Sequence, residues 1–417
     1  MWTEKITEAQ IAEIRKAAGA QPATGLPALA HNLQKFGYQI ARENPAERIP
    51  YFAEAAAIYR SLVTEGADEH LNSAMRAISR LGMQYSLAHA DDLALAAKHE
   101  AAALARRFNL HREGTEKEAR ILADLAHGLA ESGQFAPAAA TQVELVDIYR
   151  ATRSPGGYSL PDNLAWSLLD LTVYLDLAGQ PDASLEIEHE ALALQRHLAE
   201  DDPGRLPALA IWTAGASLRL TGAGARNVLA EAIAACDQLP ADGDSHGNFG
   251  FLRALQAAHF ARSGTQDEQP DADHAVPIGV NPDQTLQPVL GLSFHHWSFS
   301  VRQSYRAGLD AINDAITADT SPLPLAELET LVRRRNIRES VLLDRGPGPF
   351  LDVVIPALAH SVDLERRLLA ADPGTGPQRL VRALIDQAIG HLVISSNARA
   401  ASALREAHTL CSTPTAP

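Results

Sequence analysis

The heptapeptide EAAAIYR, Glu54 to Arg60, returns as EAAALAR at Glu100, ELVDIYR at Glu144 and EALALQR at Glu190, with starts 46, 44 and 46 residues apart. A period this long and this constant marks stacked supersecondary units, because one unit alone leaves an apolar face that only its neighbour can bury. Ahead of each heptapeptide lies a second recurring segment: LQKFGYQI from Leu33, ISRLGMQY from Ile78, LADLAHGL from Leu122 and LLDLTVYL from Leu168. Large apolar residues fall at i, i+3 and i+7, with Gly, Ala or Thr at i+4. These positions share one helical face, and the small residue lets another helix come close.

Each unit therefore reads as two helices. ARENPAER from Ala41, ESGQ from Glu131 and AGQP from Ala178 break the periodicity inside units, and TEGADE, TRSPGGYSLPDN and EDDPGRLP break it between them. A fifth, eroded unit follows. PALA at Pro207 repeats PALA at Pro27, Thr213 stands 45 residues after Leu168, and EAIAACD at Glu231 puts Asp237 where the other four have Arg.

Charge and composition narrow the partners. The formal net charge of −15 across 417 residues repels polyanions, so neither nucleic acid nor an anionic membrane is an expected partner. Two cysteines, Cys236 and Cys411, are too few for a disulfide framework or a cysteine zinc site. The start, MWTEKITEAQ, carries acidic residues where a secretion signal needs an apolar run, and no apolar stretch approaches the ~18 residues of a membrane span. A soluble cytoplasmic chain is expected.

The stripe of large and small residues, followed by a second helix ending in E-A-x-x-I-x-R, resembles the tetratricopeptide repeat. The period near 45 is similar to the extended repeats of kinesin light chains and their bacterial relatives. The resemblance covers about residues 25 to 240 and departs from the consensus at Asn44 and Thr172. It implies an all-α fold, an α-α superhelix of stacked hairpins. An N-terminal capping helix would occupy residues 1–24, the array 25–240, an irregular helix and linker 241–290, and a C-terminal helical region 291–417.

It also implies a concave groove, lined by the first helix of each unit, that grips peptides or protein segments. The groove positions carried over are His31, Gln34, Tyr38 and Arg42; Arg76, Ser79 and Met83; Arg120, Ala123, His127 and Glu131; and Trp166, Leu169, Val173 and Asp176. Of these, Tyr38, Arg42, Arg76, Met83, Arg120, His127 and Trp166 form the candidate partner-binding set. Arginines, aromatics and a methionine on one surface of an acidic protein suit an acidic segment with apolar anchors. The recurrent Arg60, Arg106, Arg150 and Arg196, at the ends of second helices, are expected to satisfy helix carbonyls and the helix dipole.

Past the repeats, TQDEQPDADHAVPIGVNPDQTLQP (265–288) reads as a linker, and helical candidates follow at Leu325–Leu343, Leu351–Ala371 and Gln378–Thr409 without close match to the repeat. Chemistry is sparse. His295 and His296 beside Trp297 lack a second ligand at helical spacing, and His99-Glu100 and His189-Glu190 are followed by Ala103 and Ala193 where a zinc-protease helix needs His. Gly222-Ala-Gly224 and Gly374-Thr-Gly376 lack a phosphate-loop lysine and read as turns. In LVRRRNIR, Arg333, Arg334, Arg335 and Arg338 spread around a helix beside Glu327, Glu329 and Glu339. No cofactor or metal is implied. Three functions remain: a scaffold or adaptor without catalysis; a peptide-sensing regulator without its own DNA-binding domain; and an all-helical enzyme with a site near His295, His296 and the Arg333–Arg338 run. The oligomeric state is left open.

Overall fold

The computed structural model describes residues 5–40, 44–109, 116–151, 160–218, 220, 222–241, 312–316 and 355–412, with a few isolated positions between 324 and 331. Among them every regular element is a helix, and the fold is all-α. The chain divides into two compact units between Arg153 and Ser154, inside the stretch expected to form one array.

Unit 1 contains α1 (Glu8–Ala20), α2 (Pro22–Gln39), α3 (Pro45–Thr64), α4 (Leu71–Leu87), α5 (Asp91–Asn109), α6 (Glu116–Glu131) and α7 (Phe135–Ala151). Thr7 opens α1 with a capping box: its hydroxyl accepts from the Gln10 amide and the Gln10 side chain accepts from the Thr7 amide. Consecutive helices from α1 to α6, and α6 with α7, pack side by side. The large residues of the stripe, Leu33, Ile78, Leu122, Leu125 and Leu129, are fully buried. The small residue earns its place at Gly37, where an added Cβ would sit 2.7 Å from the ring of buried Phe52 on α3. Arg48 in the first turn of α3 donates to the Ile40 carbonyl at 3.0 Å, satisfying a group that the end of α2 leaves open.

Four of the hairpin turns are built the same way. At 129–134 the Gln134 amide donates to the Leu129 carbonyl at 2.8 Å and Gly133 to Ala130 at 2.9 Å, with Gly133 at φ 75. This paired closure through a left-handed residue is the Schellman arrangement. It recurs at 175–180 around Gly179, at 85–90 around His89 and at 391–396 around Ser395, the last two both at φ 57. In all four the turn closes ten residues before a glutamate: Glu100, Glu144, Glu190 and Glu406.

Unit 2 contains α8 (Leu160–Leu177), α9 (Pro181–Asp201), α10 (Leu206–Ser217) and α11 (Gly222–Asp237), then α12 (Ile355–Ala371), α13 (Gln378–Val393) and α14 (Asn397–Ser412). At the consensus departure on α8, the buried Thr172 hydroxyl donates to the Leu168 carbonyl, and Ser184 of α9 donates to the Thr172 carbonyl, each at 2.9 Å. The threonine thus bonds its own helix and still admits its neighbour.

The C-terminal helices share features of the repeat. α12 and α14 correspond to α9 and α11 with a five-residue shift between them: Arg196 and Arg366 each stand six residues before an Asp-Pro-Gly turn, at Asp202 and Asp372. In each turn the aspartate Oδ1 accepts from the glycine amide, at 3.0 and 3.1 Å. EAIAACD of α11 is matched by EAHTLCS of α14. Buried Ala225, Leu229 and Ala232 are matched by buried Ala400, Leu404 and Ala407.

The two charged ends of the heptapeptide interlock between successive hairpins within each unit. Arg60 forks onto Glu100 of the next heptapeptide, its Nε and Nη2 donating at 2.6 and 2.7 Å to the two carboxylate oxygens. Arg106 does the same to Glu144 at 2.8 and 3.0 Å, and Arg15 of α1 opens the series on Glu54 at 3.0 and 2.7 Å. In unit 2, Arg196 forks onto Glu231 at 2.7 and 2.9 Å, and Arg366 onto Glu406, where the shortest distance is 2.7 Å. Where the sequence suggests helix-end carbonyls as partners, the structure gives Arg60, Arg106 and Arg196 a carboxylate 35 to 40 residues away. A planar guanidinium matches a carboxylate bidentately, an arrangement no single carbonyl offers. Arg150 meets Asp147 within its own helix, at 2.9 Å.

Each pair is about half exposed, so its worth is about 0.2–1 kcal/mol, and apolar burial carries the stability. The ladder supplies register. A double-mutant cycle on Arg60→Ala and Glu100→Ala is therefore expected to return a coupling of about 0.5 kcal/mol that shrinks in high salt. A coupling near zero at low salt would remove the ladder from the account.

Unit 2 carries one buried imidazole. His391 on α13 is buried, and burial together with the Arg399 charge lowers its pKa below the ordinary value. The unfolded chain thus takes up a proton at a higher pH than the folded one. Stability is fully present above about pH 6.5 and is lost as the pH falls from there through the lowered folded value. His391→Gln is expected to flatten that acid limb of the thermal midpoint against pH; an unchanged limb would place the titration elsewhere.

Candidate functional site

The first helices of unit 1 carry arginines of a different kind. Arg76 and Arg80 lie one turn apart on α4 with Met83 a further turn along, so the three form one stripe of which Arg76 and Met83 are exposed, Met83 by 46%. Arg80 donates to the Oε1 of Gln34 on α2, and its guanidinium carbon lies 5.7 Å from the centre of the Tyr38 ring. Tyr38, 36% exposed, stands edge-on to Phe52 with ring centres 5.0 Å apart. The guanidinium thus lies over an aromatic ring that the core itself braces. Below it, buried Tyr59 donates to the Pro27 carbonyl at 3.4 Å; burial raises its pKa, and a hydrogen bond with Ser73 and the charges of Arg80 and Arg76 pull it back. Arg120 is exposed at the place on α6 equivalent to Arg76 on α4.

Among the described residues no carboxylate pairs with Arg76, Arg80 or Arg120, whereas Arg15, Arg60 and Arg106 of the same unit each hold a glutamate. Two cations at i and i+4 repel mildly. An anion bridging Arg76 and Arg80 would remove that repulsion.

The expected groove residues divide accordingly. Tyr38, Arg76, Met83, Arg120 and His31 are exposed on the first helices. His127 is a correction: it is 2% exposed, with Nδ1 donating to the Ala123 carbonyl at 2.6 Å, because α6 is covered along the whole run Leu125–Ala130. Gln34 is buried beneath Arg80, and Leu169 and Val173 are buried in unit 2. Trp166 lies on α8, its side chain outside the described residues, and Arg42 lies outside them altogether, as do His295, His296 and Arg333–Arg338. Arg80 was not among the expected positions; its cue in the sequence is the i+4 spacing from Arg76, on the same stripe.

In unit 2 the corresponding helices are closed. Ser167–Leu175 of α8 and Ala208–Ser217 of α10 are buried without interruption, as their nearly uniform apolar sequences require. The open first-helix face therefore belongs to unit 1. Chemistry is absent from the described residues at the level of clusters: no three of His, Cys, Asp and Glu converge as metal ligands, and no described helix is long and apolar enough to cross a membrane. The Cys236 thiol, buried beside Asp237, is pushed up to about 12 and stays protonated. No protein-family model matches the chain, and no curated protein matches it.

Proposed function

We propose that unit 1 is a docking module of the tetratricopeptide kind, its hairpins wound as an α-α superhelix, which in the cytoplasm binds an acidic peptide segment with an apolar anchor as a scaffold or adaptor. The observation that carries this is the contrast in arginine partnership. Second-helix arginines of unit 1 are consumed by the ladder, and among the described residues the first-helix Arg76, Arg80 and Arg120 have no carboxylate, with Arg80 over Tyr38 and Arg76 on the stripe of Met83. Holding a guanidinium over an aromatic ring in advance lowers the ordering cost of binding an anion. An apolar side chain of the same segment would find Met83, whose flexible thioether suits an adaptable contact.

The test is fluorescence anisotropy of the purified full chain against a peptide set in which acidic residues flank Leu or Phe, with Asn and Gln counterparts of each. Selective binding of the acidic members, weakened by about 0.5 M salt, is expected. Binding that ignores the acidic residues would overturn the reading.

A further inference from the structure

The repeat copies in unit 2 meet end to end. α14 packs on α11 and α13 packs on α10, each helix against its equivalent in the other copy. α14 runs antiparallel to α11. At one end Asn397 donates to the Pro240 carbonyl at 2.8 Å and the Ala398 amide to the Ala241 carbonyl at 3.1 Å; at the other, the Arg226 charge acts on the Cys411 thiol. Equivalent faces packed against each other make a junction of the kind seen in twofold dimers, here closed within one chain.

One contact breaks the equivalence. Asp237, at the place where the preceding heptapeptides carry arginine, pairs with Arg405. Their counterparts in the other copy are Ser412 and Ala230, which cannot form the same pair. A further regular hairpin would bring a glutamate toward position 237, where Arg196 one unit earlier holds Glu231, and would there meet a second carboxylate.

We propose that the Asp237–Arg405 pair is a selector that seats the chain's own C-terminal hairpin on the α10–α11 end and refuses a further ladder unit there. The charge exchange stops the ladder, and the partner that satisfies it stands 168 residues along the same chain. α10, apolar on every side, makes the closure permanent, since releasing α13 would expose it.

The test is hydrogen exchange of the full chain, followed in peptides covering α14. Asp237→Arg, which restores the ladder residue, and Arg405→Asp each oppose like charges and are expected to speed α14 exchange about five-fold. The double variant Asp237→Arg with Arg405→Asp should return to within about two-fold of the parent, and Asp237→Asn should have the smaller effect of losing attraction alone. Because both side chains are about half exposed, none of these changes threatens folding, which circular dichroism checks. Unchanged α14 exchange in both single reversals, or exchange still raised in the double variant, would overturn the proposal.

Discussion

Phe52→Ala should cost unit 1 about 3–5 kcal/mol, read as a drop in denaturant midpoint at unchanged slope. The ring is wholly buried and lies over Gly37, the one place on α2 where the missing side chain lets α3 approach, so nothing can collapse into the space it leaves. Phe52→Leu keeps most of the volume and is expected to cost under about 2 kcal/mol. The effect should extend to binding, because the edge of Tyr38 rests on Phe52 and Arg80 rests on Tyr38. A Phe52→Ala loss of under about 1 kcal/mol would mean that α2 and α3 do not share the core described here.

The second large effect is on affinity. Arg76→Ala, Arg80→Ala and Arg120→Ala together should weaken the acidic peptide by about 100-fold or more, since a charge-assisted hydrogen bond to a carboxylate is worth about 1.5–3 kcal/mol and two or three are lost. The fold should persist, as circular dichroism checks: among the described residues none of the three holds a carboxylate, and Arg76 and Arg120 are exposed. Arg60→Ala with Arg106→Ala is the control, removing the same charge from the ladder. Anisotropy unaffected by the first set, or equally affected by the second, would leave general electrostatics as the cause of binding and not a site.

What the sequence made legible was everything set by helical periodicity. The large residues at i, i+3 and i+7 and the small one at i+4 predicted which positions are buried and where a second helix comes close, and Leu33, Gly37 and Ile78 behave accordingly. The pairing of the heptapeptide ends was in plain view yet hidden. Within one heptapeptide the arginine sits at a helix end, where carbonyls are the nearest sink, and its true partner is a full unit away. The C-terminal repeats escaped because Ser395 stands in the glycine place of the turn, and Gln387 and His391 interrupt the apolar stripe. Register survives such erosion better than residue type does, as the spacing from Ser396 to Glu406 shows. Of the groove positions, His127 and Gln34 were misassigned because helical phase tells which side of a helix a residue occupies, and neighbours decide how much of that side stays wet.

The ladder gives the repeat a polarity. In unit 1 the second helices α3 and α5 each present a glutamate backward and an arginine forward, so the two ends are plug and socket of one standard fitting. Removing one whole period, or inserting one, brings together an arginine and a glutamate already spaced for each other, and the cut ends heal without any new residue having to evolve. Such a chain can lengthen or shorten by recombination in whole hairpins while each intermediate length remains a folded protein.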